Sequence, residues 1–177
     1  MKEPGSSPPP QSIVAKLLAG PVAPGKLVWI GLRPARSAPM IMPSEANLVA
    51  QQGIEGDRYR TQRNGSRQVT LIAAEDIVAI ASFLGREAVA PELLRRNLVT
   101  SGINLLALKG SIFRVGTTLL EATGDCAPCS QMEANLGPGG YNAVRGRGGL
   151  TARIIEGGKI RIGDSIERFH PKQQPAS

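Results

Sequence analysis

Two cysteines stand three residues apart in the run Cys126-Ala127-Pro128-Cys129, and the chain has one histidine, His170, close to its end. A structural zinc site takes four soft ligands, and two thiols with one distant imidazole do not supply them. A thioredoxin-like redox pair opens a helix after a strand inside a βαβ unit. The stretch Glu121 to Asp125 could be that strand and Ser130 to Leu136 that helix, but the surrounding βαβ order is missing. Free cysteine is also commonly buried as a small hydrophobe, so spacing alone leaves chemistry and packing both open.

The neighbourhood favours chemistry. The run LGPGGYNAVRGRGG follows the cysteines and holds Arg145 and Arg147; GIEGDRYRTQRNGSR precedes them and holds Arg58, Arg60, Arg63 and Arg67. Glycines let backbone N–H groups come close to an anion, and guanidinium forks match phosphate oxygens. Each arginine taken singly could be a solvated surface charge. Taken together they lead us to expect a phosphate pocket gathering some of Arg58, Arg67, Arg145 and Arg147 beside a thiolate.

The elements that must position these groups are short. The chain has 177 residues, the size of one domain, and its 41% hydrophobic share suffices for a core. With 21 glycines and 14 prolines, many turns are expected between the elements. KLVWIGL (26–32) and RQVTLIA (67–73) read as strands. AEDIVAIASFLG reads as a helix with acidic residues at its start and Gly85 at its stop, and Pro91 opens a second, shorter one. NLVTSG and SIFRVGTTLLEAT read as further strands. LTARII and KIRIGDSI flank Glu156-Gly157-Gly158, which predicts a terminal β-hairpin. The sum is a mostly β fold with a few short helices, a small closed or partly closed β-barrel. Residues 1–23 read as a disordered or loosely attached segment, 24–168 as the domain and 169–177 as a tail.

No apolar run approaches the length that spans a bilayer. The start, MKEPGSSPPPQS, lacks the apolar stretch of an export signal, so a reducing cytoplasm is expected and a structural disulfide is not. The net charge of +7 calls for an anionic partner. Nucleic acid is disfavoured because aromatics for base stacking make up only 3% of the chain and no Lys/Arg block exceeds two.

Six stretches, in order, resemble the MOSC domain, named for the C-terminal part of molybdenum cofactor sulfurases. They are GIEGDRY, RQVTLIAAEDI, RRNLVTSGINLLAL with KGSIFRVG, CAPC with its ME, RGGLTARII and GGKIRIGDSI. The resemblance implies a β-barrel around a cysteine that ligates the molybdenum of a pterin cofactor, molybdopterin or its nucleotide form, or carries sulfur. By position that residue is Cys129, with Cys126 the less certain participant. It also implies pocket roles for Asp57 and Arg58, although Asp57 could simply close a turn by satisfying local backbone donors. Asn97, beside Arg96, is implied to lie near the cofactor, so that Asn97→Ala would weaken binding and leave the melting temperature nearly unchanged.

The chain lacks the pyridoxal-phosphate domain of the larger sulfurases, and no lysine stands in a Schiff-base context. It resembles the small stand-alone bacterial type. The functions implied are an oxidoreductase acting on N-hydroxylated compounds, fed by a separate electron-donor protein, or a sulfur-carrier or cofactor-handling module using a Cys129 persulfide. A basic nucleic-acid-binding domain is the remaining alternative.

Overall fold

A computed structural model describes residues 12–60 and 63–170. Along the chain the elements are α1 (Ile13–Leu18), β1 (Gly25–Ile30), β2 (Glu45–Val49), β3 (Gly53–Ile54), β4 (Val69–Ala73), α2 (Ala74–Phe83), α3 (Pro91–Leu94) and β5 (Leu98–Ser101). There follow a 3₁₀ turn (Leu105–Leu108), β6 (Ile112–Val115), β7 (Thr118–Asp125), α4 (Ser130–Leu136), α5 (Gly140–Val144), β8 (Leu150–Glu156), β9 (Gly158–Arg161) and β10 (Ser165–Arg168). Seven strands close a barrel in the order β1-β10-β6-β7-β8-β4-β5, and β3-β2-β9 form a separate small sheet.

The barrel follows from alternation. Leu27, Leu71, Phe113, Leu120, Ile154 and Ile166 point inward and are wholly buried. Removing each such side chain from water contributes roughly 1.5–3 kcal/mol. Strand β4 is buried along its whole length because its outward residue Ile72 meets a second cluster. That cluster joins Ile80 of α2, Met132 and Leu136 of α4, and Val144 of α5. The helices therefore cover one flank of the barrel, above the parallel pair β4–β5 that the α2–α3 crossover connects.

One hydrogen-bonded row sets up the site. Ile30 pairs with Leu98, Leu98 with Leu71, Leu71 with Leu150, and Leu150 with Asp125. The row brings together the segments after β1, before β4, before β5 and after β7. These are the segments that carry the arginines and the two cysteines.

The expected hairpin of LTARII with KIRIGDSI does not form. Strand β8 pairs with β4 and β7, whereas β9 pairs with β2, Ala46 opposite Ile160. Gly157 serves close approach, since a Cβ there would lie 2.4 Å from the Leu48 carbonyl oxygen. The alternation of Ile160 with its charged neighbours does hold, but Lys159 and Arg161 reach across to Glu45 at 2.7 and 3.1 Å. Strand β2 itself escapes the sequence reading because Glu, Ala and Asn are weak strand formers.

In the N-terminal segment, residues 13–18 form α1, capped by the Ser12 hydroxyl. Arg168 ties it to the barrel by donating to the carbonyls of Leu18 and Gly20. Residues 1–11 of the first expected tail and 171–177 of the second lie outside the described residues.

Candidate functional site

A cleft of about 430 Å³ opens where those strand ends meet. Six arginines line it, Arg33, Arg36, Arg58, Arg67, Arg95 and Arg96, together with both cysteines. Cys129 is exposed and caps the start of α4, its carbonyl accepting from Met132 N–H at 2.8 Å. Cys126 is 4% exposed and pinned through its backbone, donating to Gly149 O at 2.8 Å and accepting from Arg96 Nη2 at 3.3 Å. The two thiols are thus in different states of access. Only Cys129 offers a free sulfur to a ligand in solution.

The floor of the cleft is a buried polar knot. Asp57 is 3% exposed and accepts from Arg33 N (2.9 Å), Nε (3.0 Å) and Nη2 (3.0 Å), from Tyr59 N (2.8 Å) and from Asn97 Nδ2 (2.9 Å). Burial pushes its carboxyl up, but the Arg33 fork, the Arg33 charge and the two backbone donors outweigh it and hold Asp57 below the usual carboxylate value. Asn97 is wholly buried and fully committed. Its Nδ2 also donates to Gly31 O, and its Oδ1 accepts from Thr70 N, Thr70 Oγ1 and Arg33 Nη2, all near 3 Å. The knot fixes Arg33 by two partners at its head, and Arg33 in turn accepts from Arg58 N–H through its carbonyl at 2.7 Å.

Arg96 is 6% exposed with no carboxylate against it among the described residues. It donates instead to three carbonyls, of Gly148 (2.8 Å), Leu94 (2.9 Å) and Cys126 (3.3 Å). Burial holds its guanidinium below the ordinary value, while the cysteines pull the other way. Arg95 stands in the left-handed conformation at the end of α3, φ 54°, which turns its side chain to Ala38 O. Burial and the charges of Arg33 and Arg58 lower its pKa as well. A buried charge without a counter-charge is costly even when hydrogen-bonded, and an anion in the cleft would relieve it.

Residues 49–167 match the family model of the MOSC domain. The chain belongs to the MOSC family. The MOSC fold is also that of solved structures. YuaD from Bacillus subtilis superposes with TM-score 0.72 at 20% identity, over 85% of this chain and 98% of that one. YiiM from Escherichia coli gives 0.64 at 20%, over 84% and 72%, and YiiM from Geobacillus stearothermophilus gives 0.65 at 17%, over 82% and 75%. At such identities the likeness establishes the fold. Comparison with curated proteins returned no match.

The MOSC barrel brings Arg58 and Arg67 to the cleft of Cys129, and it separates Arg145 and Arg147 from them. Those two line a second cleft, of about 620 Å³, on the other side of Cys126-Ala127-Pro128. Of the four arginines, Arg58 and Arg67 thus share the cleft of Cys129, and Arg145 and Arg147 do not. Arg147 is already neutralised there, 3.0 Å from Asp76 and stacked 5.5 Å over the Phe83 ring. The glycines of this loop serve packing. A Cβ on Gly148 would lie 2.0 Å from Cys126 O, and one on Gly149 would lie 1.8 Å from Leu71 O. Glu133, the acid of the ME pair, accepts from Gly139 N (2.9 Å) and Tyr141 N (2.8 Å), which lowers its pKa and holds the start of α5.

Two further corrections concern Asp57 and Asn97. Neither lines the cleft, because both are spent on fixing Arg33 and Thr70. The turn-closing reading of Asp57 holds in part, its Oδ1 accepting from Tyr59 N–H two residues on. Arg33, Arg36 and Arg95 escaped the sequence reading. Arg33 and Arg36 lie in RPARS, whose proline reads only as a loop. The sole signal for Arg95 was the adjacent pair Arg95-Arg96 before a strand.

Proposed function

We propose that the arginine cleft binds the phosphate end of a molybdenum-bearing pterin and that Cys129 Sγ ligates the metal, in a reductase of N-hydroxylated compounds. The observation that carries the reading is an exposed thiol in the wall of a cleft whose arginines, Arg33 apart, have no carboxylate partner among the described residues. A soft thiolate suits a thiophilic metal, and guanidinium forks suit phosphate. Among the described residues no group of three or more His, Cys, Asp or Glu could hold a bare ion. A metal bound through Cys129 brings its other ligands with it, as a pterin-borne molybdenum does.

When bound, the cofactor supplies two-electron chemistry at the metal. The protein's part is to hold it. Cys129 is the thiol ligand, Arg58, Arg67, Arg95 and Arg96 bind the anionic end, and Asp57 with Asn97 keeps Arg33 in place. Reductive N–O cleavage takes two electrons and two protons and releases water. The electrons come from a separate donor protein.

The test is elemental analysis of molybdenum and phosphorus in the full chain, expressed in a host that makes the cofactor. The expected result is molybdenum in the wild type and none in Cys129→Ser, with turnover of an amidoxime using a chemically reduced viologen. The exposure of Cys129 also suits a sulfur carrier. Molybdenum without amidoxime turnover, or a persulfide on Cys129, would transfer the assignment to that reading. Absence of both, with salt-sensitive DNA binding, would end the cofactor reading.

A further inference from the structure

The second cleft, of about 620 Å³, has the size of a small-molecule site. Its charged side chains are Asp76, Asp125, Arg145 and Arg147. Arg147 is paired with Asp76 at 3.0 Å, and Asp125 with Lys109 at 2.7 Å. Arg145 is left with no carboxylate partner among the described residues. Beside these charges the walls are apolar. Leu105 and Leu150 are buried, whereas Leu106 is 66% exposed and the Tyr141 side chain 42%. Tyr141 lies in α5 and Arg145 caps the end of that helix, its N–H donating to Tyr141 O at 3.1 Å. Residues four apart share a helix face, so ring and guanidinium stand on the same side of α5. The frame that carries them is fixed. Glu133 accepts from Tyr141 N–H at 2.8 Å, and Cys126 N–H donates to Gly149 O across the cleft wall at 2.8 Å.

We infer that this cleft binds an aromatic monocarboxylate, its carboxylate on Arg145 and its ring against Tyr141 and Leu106. A guanidinium fork matches the two oxygens of a carboxylate, and a tyrosine ring takes an aromatic ring by offset stacking or edge to face. One unanswered cation suits one negative charge. A phosphate monoester carries close to two at neutral pH, and the carboxylates of Asp76 and Asp125 in the same lining repel the second. The exposed Leu106 and Tyr141 gain most from an apolar ligand body, since burial removes their surface from water. Cys129 does not line this cleft, so its ligand is independent of the cofactor.

The experiment titrates the full chain calorimetrically with 2-naphthoate, with its neutral isostere 2-naphthamide, with 2-naphthyl phosphate and with octanoate, at matched ionic strength. Naphthoate is expected to bind about tenfold tighter than the amide, the scale of one charge-assisted hydrogen bond. Arg145→Gln should erase that preference. Tyr141→Ala should weaken naphthoate and naphthamide alike, by about threefold or more. Both substitutions alter exposed side chains, and Glu133 holds Tyr141 through its backbone, so both variants should fold. Arg67→Ala, in the other cleft, should leave naphthoate binding unchanged. Equal affinity for naphthoate and naphthamide overturns the inference. A loss in Arg67→Ala with none in Arg145→Gln also overturns it, by moving the acid to the arginine cleft. Octanoate binding as tightly as naphthoate removes the aromatic ring from the assignment, and naphthyl phosphate binding more tightly through Arg145 removes the carboxylate.

Discussion

The two clefts on either side of Cys126-Ala127-Pro128 treat positive charge in opposite ways. In the cleft of Tyr141, Arg145 and Arg147, the charge of Arg147 is answered within the protein by Asp76 and by the Phe83 ring. In the cleft of Cys129 the protein assembles six guanidinium groups and, among the described residues, pairs one of them with a carboxylate. A folded chain does not gather unpaired cations at its own benefit, because their mutual repulsion and desolvation oppose folding. The difference separates an arginine paired within the protein from arginines with no carboxylate partner among the described residues, across one short loop. Glycine content does not make that distinction, since the glycine-rich loop belongs to the cleft with the paired arginine.

The largest effect that could break the comparison is at the sulfurs. Cys129 belongs to the arginine cleft, and Cys126 borders both. Cys129→Ser should abolish molybdenum retention, an alcohol being a hard and weakly acidic ligand. Cys126→Ser should keep part of it. Equal losses in the two variants, read as metal per protein, would remove Cys129 from its role.

Next in size is the knot beneath the arginine cleft. Asn97→Ala deletes a wholly buried amide and leaves Thr70, Gly31, Arg33 and Asp57 short of partners. The expected loss is about 2–4 kcal/mol of stability, read from denaturant unfolding. That reverses the expectation from sequence, in which binding fell and stability stayed. An unchanged unfolding midpoint would restore it.

These residues also show what a sequence makes legible. Strands β1, β4 and β8 and helix α2 were readable because alternation or helical spacing of apolar residues reports a face turned to the core. Cys129, Arg58 and Arg67 stood out through residue type and through the resemblance, and the fold brings the three to one cleft. Pairing was not readable. The alternation at Ile160 shows that β9 has one buried face, but not that its neighbour is β2 rather than β8. The split of the arginines was hidden for the same reason. Arg33 and Asn97 are 64 residues apart along the chain and 3.0 Å apart in space, a relation created by barrel closure. Asp76 looked like a helix-start acid, and nothing local showed that it would meet Arg147.

A smaller effect would sharpen the contrast directly. Arg67→Ala or Arg58→Ala should cost roughly 2 kcal/mol of cofactor affinity, the scale of a hydrogen bond to a charged group. Arg147→Ala should leave cofactor affinity unchanged and alter stability by only about 0–1 kcal/mol, as for a partly exposed ion pair. If all three variants weaken DNA binding by one modest step and none affects the cofactor, the charge is a diffuse nucleic-acid footprint.

The last expectation concerns acid. The Asp57 carboxyl, although buried, has its pKa lowered on folding by the Arg33 fork and by the backbone N–H groups of Arg33 and Tyr59. The folded state therefore binds its proton less readily than the unfolded chain does. The stability that Asp57 contributes is fully present above its unfolded pKa and is lost as pH falls through the lowered folded value. The exposed Glu133 and Glu45 carboxyls are lowered too, so they act in the same direction and form the background. Asp57→Asn removes the titration and keeps the shape. The wild type should lose unfolding free energy between neutral pH and the acid range more steeply than Asp57→Asn, and the difference between the two curves is the contribution of the Arg33 pair. Parallel curves would show that Asp57 does not hold Arg33 by charge, and the floor of the arginine cleft would then rest on Asn97 alone.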